Sequence, residues 1–359
     1  MDLTRRQLLA GCAAAVPSLY AFASASSTQN AEARPIGVVA YCYGLRMSAD
    51  RTRGANAGLN DPMALIEHCH ERGAGGVQIS IGVRDSVFAA RLREKIDSLH
   101  MYLEGIVRLP QDRGDLQRFT REVETARAAG AGVLRSVLLS TRRYETFATA
   151  DAFRQWADRA WTSLTLAEPI VARHDMRLAI ENHKDLRADE LLPVLKRLSS
   201  RHVGVCVDTA NSIALLEDPL DVIEAYAPWA FSTHIKDVSV AEYEEGFLLG
   251  EPPLGEGILD LNKIVALFRR ARPEIHLNLE MITRDPLKVP SLTPRYWATF
   301  ETLSGRHLAR TMSWVRKHQP PRPPARISGL TTEQKLAVEE SNVQKSLAYA
   351  RKHFAKKSS

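Results

Sequence analysis

The chain has 359 residues, 45% hydrophobic and 25% charged, with a formal net charge of +6. Past the first 25 residues only Cys42, Cys69 and Cys206 remain, an odd number without close spacing, which argues against a disulfide framework or a cysteine metal site. From Glu301 to Ser359 twelve Lys or Arg stand against four Glu; such a tail reads as a solvated helix pair, so no nucleic-acid partner and no integral membrane span are expected.

Thr4-Arg5-Arg6-Gln7-Leu8-Leu9 is a twin-arginine motif, followed by an apolar stretch to Ala23 and small residues suited to cleavage near Ala23 or Ala25. The stretch is too short for a transmembrane helix and is broken by Pro17, so residues 1–25 read as a twin-arginine signal peptide and the location as periplasmic or secreted. Leu9-Ala10-Gly11-Cys12 resembles a lipoprotein cleavage box, but only five residues separate Arg6 from Cys12, too few for a proper apolar region. The remaining chain, roughly 330 residues, is long enough for one large α/β barrel with extra material.

Eight apolar runs follow, each with the length and composition of a strand: IGVVAYC from Ile36, GVQISIG from Gly76, MYLEGIV from Met101, VLRSVLL from Val133, then MRLAIE, VGVCVD, WAFSTH and IHLNLE. Amphipathic stretches separate them, with helix starts at Asp61-Pro62, Asp218-Pro219 and Asp260. Gly73, Gly75 and Gly130 stand where helices hand over to strands and a left-handed residue is needed. This alternation predicts a (β/α)8 TIM barrel over residues 34–290. A doubly wound open sheet is the alternative, but Tyr41-Cys42-Tyr43-Gly44 follows the first strand in place of a glycine-rich phosphate loop. Cys42 and Cys206 fall in strand runs and read as small buried hydrophobes. Residues 291–359 form a basic helical extension: one helix over Tyr296–His318, a stiff connector at Pro320-Pro321-Arg322-Pro323-Pro324, and a second helix over Thr331–Lys356. It is expected to pack across the barrel, to make a homo-oligomer contact, or both, and to be dispensable for metal binding.

The last four runs end on Glu181, Asp208, His234 and Glu280. Parallel strand ends open into one crevice, so these side chains converge as an oxygen-rich site for one divalent metal, with room for a substrate. His183 and Lys236 follow Glu181 and His234 by two residues and, in extended chain, point to the same side; they are expected to contact substrate. Arg284 lies at the rim, where it could hold a substrate carboxylate. Glu104 and Arg135 read either as a buried barrel pair or as pocket residues, Glu256 as a loop-shaping or substrate residue, and Tyr41 and Tyr43 as pocket walls.

The motifs Ile180-Glu181-Asn182-His183, Val207-Asp208-Thr209-Ala210-Asn211, His234-Ile235-Lys236-Asp237, Leu254-Gly255-Glu256-Gly257 and Leu279-Glu280 together resemble the xylose-isomerase-like TIM-barrel superfamily, in particular its sugar isomerase/epimerase branch. The resemblance covers roughly residues 36 to 290. It implies that Glu181, Asp208, His234 and Glu280 bind one divalent ion (manganese, cobalt or magnesium) and that Glu181 and Glu280 are the catalytic acid and base. The first reading is a metal-dependent isomerase or epimerase of a free sugar or sugar derivative, working through an enediolate that the metal stabilises. The second keeps the metal and the enediolate but breaks a bond: decarboxylation of a 3-oxo sugar acid, or elimination from a 3-keto glycoside. A third, a carbohydrate-binding protein with a vestigial site, is disfavoured by the intact ligand set. The DNA-repair endonucleases of the superfamily use three zinc ions and further histidines; here Asn211 replaces one, and residues 237–250 contain none.

Overall fold

A computed structural model describes residues 36–355; the stretch expected to be a signal peptide, with Cys12, lies outside the described residues. The expected runs form parallel strands β1 (Gly37–Val39), β2 (Gly76–Ile79), β3 (Tyr102–Ile106), β4 (Val133–Ser136), β5 (Arg177–Glu181), β6 (Val203–Asp208) and β7 (Ala230–His234). A hairpin of β8 (Ser239–Tyr243) and β9 (Gly246–Gly250) precedes the last barrel strand, β10 (Asn278–Leu279), and β11 (Leu287–Val289) follows it. The order is β10-β1-β2-β3-β4-β5-β6-β7, and a parallel bridge between Ile235 and Leu279 joins the two ends. This is a TIM barrel, its strands sheltered on one face by packed interior side chains and on the other by helices, which explains their near-continuous apolar sequences.

Local signals act largely as the sequence suggests. Asp61, Asp218 and Asp260 accept backbone hydrogen bonds from Met63, Leu220 and Lys263, with Pro62 and Pro219 opening their helices. Gly73 and Gly130 take φ of 81° and 86°, the left-handed region a side chain would resist. Gly75 does not; its N–H instead donates to Ile36 O at the entry to β2. Cys42, Cys69 and Cys206 are buried free thiols.

Two features differ from expectation. First, β8, β9 and β11 form a separate antiparallel sheet in stretches where the sequence pattern predicts no strand. Second, the helix expected over Tyr296–His318 is two, Pro294–Trp297 and Gly305–His318, the latter capped by Ser304. The break falls where the buried Arg143 guanidinium donates to Thr299 Oγ1 and Thr299 O, stacked between Phe153 and Phe300 at 3.6 and 4.1 Å. Those contacts satisfy the backbone outside a helix and fix the turn.

The extension is integral to the barrel's packing. Tyr296, Phe300, Met312 and Val315 share a core with Val240 and Phe247 of the hairpin. Along the helix Thr332–His353, Val343, Leu347 and Ala350 enter the main barrel core. Arg310, Arg316, Arg326 and Lys345 pair with Asp221, Glu242, Asp285 and Glu256, so the basic tail meets acidic barrel surface. No described helix is long and apolar enough to cross a membrane.

Glu339, 2% exposed, reaches from the tail to accept hydrogen bonds from the Leu45 and Arg46 N–H groups, which open the helix Gly44–Arg51. A carboxylate there satisfies two orphan donors and complements the helix dipole. Glu339→Ala is expected to destabilise the fold by about 2–3 kcal/mol, read from denaturant unfolding; a loss no larger than that of an exposed control such as Glu333→Ala would contradict this docking.

Candidate active site

The four strand-end residues meet. One ligand atom from each of Glu181, Asp208, His234 and Glu280 lies within 4.8 Å of the others, and all four side chains are buried. Strand register brings them there: Glu181 stands opposite Cys206 and Asp208 opposite His234 in adjacent parallel strands. His234 Nδ1 faces Glu280 Oε2 at 3.2 Å, Glu181 Oε2 at 3.4 Å and Asp208 Oδ2 at 4.0 Å. Yet His234 Nδ1 makes no hydrogen bond to these oxygens, and Asp208 Oδ2 has beside it only the Lys236 ammonium at 3.0 Å, outside hydrogen-bond geometry. Buried polar atoms are rarely left without a hydrogen bond, so an imidazole nitrogen ringed by three carboxylate oxygens marks a place for a cation. The donor set fits a divalent ion that takes three carboxylates and one imidazole.

The imidazole is aimed from behind. His234 Nε2 is 2.8 Å from Gln78 Oε1, and Gln78 Nε2 donates to Glu104 Oε2 at 2.9 Å and to Ser232 Oγ at 3.2 Å. Asn278 Nδ2 also donates to Glu104 Oε2. The Glu104 carboxylate thus orients the Gln78 amide with its oxygen toward His234, which places the ring proton on Nε2 and leaves Nδ1 for a metal. Burial opposes a second proton on His234, but Cys206, Glu280 and Glu181 outweigh it and hold the imidazole pKa well above its ordinary value. A divalent cation would take that proton's place, so binding should release protons.

Cations surround the cage. Burial opposes ionisation of Glu181, but Arg135 and His234 keep its carboxyl below the usual range; Arg135 donates to Oε2, and Asn211 Nδ2 donates to Oε1 at 2.9 Å. Lys236 Nζ lies 2.7 Å from Glu280 and 3.0 Å from Asp208, and does not pair with Asp237, its neighbour in sequence. Asp237 instead accepts from the backbone N–H groups of Gly255, Gly257 and Leu259. Burial raises the Glu280 pKa, and His234 and Lys236 more than reverse it.

Beside the cage is a cavity of about 220 Å³, smaller than the roughly 300–1,000 Å³ of drug-sized sites and suited to a monosaccharide-sized molecule. Glu181 and Glu280 line it with His183, Lys236 and Arg284, the three expected substrate contacts, and with Arg135, Lys184 and Tyr41. Burial and Lys184 push the His183 imidazole down to about 3, so it is neutral. Arg284 is held at 2.6 Å by Glu251, a hairpin-end residue absent from the sequence-based site.

The other expected residues divide between the cavity and its surroundings. Glu104 and Arg135 are no pair: one supports Gln78, the other Glu181. Tyr43 is buried against His68 and does not line the cavity, whereas Tyr41 lies beneath the Arg135 guanidinium at 5.5 Å. Glu256 is exposed and pairs with Lys345, so it shapes its loop. Gln78, Lys184 and Glu251 escaped sequence reading, and Asn211 entered it only as a motif position that lacks a histidine. Gln78 alone carried a usable signal, a polar residue inside an otherwise apolar barrel strand.

Residues 50–302 match the family described as Xylose isomerase-like TIM barrel. The chain belongs to that family. The 3-oxo-isoapionate decarboxylase of Pectobacterium atrosepticum is 29% identical over 217 residues, 58% of this chain and 72% of that one. Among solved structures, a xylose isomerase-like TIM barrel protein from Mycobacterium smegmatis in complex with magnesium is similar with a TM-score of 0.53 and 15% identity, over 77% of this chain and 97% of that one. An L-ribulose 3-epimerase is similar with a TM-score of 0.52 and 13% identity, over 89% and 96%. At these identities the two structures share the fold with this chain.

Elemental analysis after incubation with a divalent cation and desalting separates the two kinds of residue. Asp208→Ala is expected to leave no stoichiometric metal, whereas Gln78→Leu should keep the site but weaken it about 10- to 100-fold. Wild-type metal content and affinity in both variants would place the site elsewhere.

Proposed function

We propose that the protein is a metal-dependent decarboxylase of a 3-oxo sugar acid, exported by the twin-arginine route and acting outside the cytoplasm. The observation that carries this reading is the cavity wall, where Arg135, Lys236 and Arg284 are paired with Glu181, Glu280 and Glu251, while Lys184 has no carboxylate partner among the described residues. A neutral ketose offers Lys184 no counter-charge; a sugar carboxylate does. The similarity to a decarboxylase supports the same reading.

The two readings ask different things of the glutamates. Epimerisation by a carboxyl on each side of the substrate needs one of them neutral to return the proton. Cleavage of a carbon–carboxylate bond requires no carbon acid to be deprotonated. The bond to the carboxylate breaks, CO2 leaves, and the electron pair passes to the 3-oxo oxygen as an enediolate; one proton then returns to the same carbon.

A divalent ion held by Glu181, Asp208, His234 and Glu280 would supply a Lewis acid for that oxygen; the hard donor set favours magnesium or manganese, with cobalt as a substitute. The chain's own residues bind and orient the substrate. Neutral His183 is placed to bond a hydroxyl, and Lys236, bridging Asp208 and Glu280, faces the developing negative charge. The isomerase or epimerase reading keeps the same cage, with Glu181 and Glu280 as acid and base.

One experiment divides the readings. Metal-loaded protein is incubated in deuterated water with 3-oxo sugar acids, 3-oxo-isoapionate among them, and with neutral ketoses. CO2 release with one deuterium gained by the product, and no exchange into ketoses, is the expected result. Epimer formation or exchange in a ketose without CO2 from any acid would establish the isomerase reading instead.

A further inference from the structure

Three of the four cations around the cavity already have carboxylate partners. Arg135 pairs with Glu181, Lys236 with Glu280 and Asp208, and Arg284 with Glu251. Lys184 has none: among the described residues no carboxylate oxygen lies within 4.0 Å of its ammonium, which is 2% exposed and donates to one acceptor, Asn211 Oδ1. A buried ammonium with one of three donors used and no counter-ion is costly to keep.

Its position is nevertheless firmly built. The Lys184 carbonyl accepts from the Arg143 N–H at 2.8 Å. Two residues earlier, the Asn182 amide exchanges hydrogen bonds with the Asp208 backbone, accepting from its N–H at 2.7 Å and donating to its carbonyl at 3.1 Å. Lys184 therefore lines the cavity from a segment pinned on both sides.

We propose that Lys184 is the specificity-determining residue that holds the substrate's carboxylate. The anion supplies the counter-charge that the fold withholds, so an acid gains a charge-assisted contact that its neutral counterpart lacks. Arg284, the residue expected for this task from the sequence, is left to support Glu251. The inference rests on the reading of the substrate as a sugar acid, but not on the fate of that acid.

The test is calorimetric binding of gluconate and of sorbitol, its neutral counterpart, to the full chain loaded with magnesium. Wild type is expected to bind gluconate more tightly than sorbitol. Lys184→Met should weaken gluconate about 10- to 100-fold, the value of a contact to a charged group, while leaving sorbitol unchanged; Lys184→Arg should recover most of the loss. Without ligand, Lys184→Met should melt no lower than wild type, because it removes an uncompensated charge. Lys184→Gln gives a second uncharged variant should the methionine disturb folding. Undiminished gluconate binding in the uncharged variants overturns the proposal. So does an equal loss of both ligands with a lowered melting temperature, which would make the ammonium a structural support of Asn211. Absence of CO2 release from 3-oxo acids, with gluconate selectivity intact and Lys184-dependent, would overturn the decarboxylase reading alone.

Discussion

Three buried carboxylates facing one imidazole are the constraint that organises this molecule. Glu181, Asp208 and Glu280 cannot share a low-dielectric pocket as anions without positive charge close by. The fold answers with Arg135 on Glu181 and with Lys236 between Asp208 and Glu280. These cations offset the charge but leave His234 Nδ1 without a hydrogen bond among the three carboxylates. A divalent ion would give that nitrogen a partner and replace the proton that the carboxylates otherwise impose on His234.

The support reaches below the site. Glu104 fixes Gln78, which fixes His234, so a residue deep in the barrel decides which ring nitrogen is free. Above it, the β8–β9 hairpin ends at Glu251, whose carboxylate accepts from the Ile282 N–H at 3.0 Å and holds Arg284. The tail helices pack against this hairpin and against the barrel, so the basic extension steadies the elements that carry the cavity rim. Framework and site are in this sense one electrostatic and packing unit.

The barrel and the convergence of its four strand-end residues were legible in the sequence because parallel strands oblige the chain to alternate apolar runs with helices and to end each run on the same side. Lys184 was not legible because extended-chain parity stops at Glu181. The His183 N–H bonds back to Glu181 O at 2.9 Å, and this tight turn brings both His183 and Lys184 to the cavity, where alternation admits only one. Glu251 was hidden for a different reason: the charged turn Glu244-Glu245-Gly246 masks a hairpin whose pairing is set by partners in β11. The break in the first tail helix depends on Arg143, more than 150 residues upstream, and no local pattern announces it.

Anomalous diffraction from crystals grown with manganese locates the cation directly. One strong peak is expected, bonded to Glu181, Asp208, Nδ1 of His234 and Glu280, with Nε2 of His234 still against Gln78. A manganese ion bound elsewhere, with Lys236 and His234 alone neutralising the three carboxylates, would contradict this assignment.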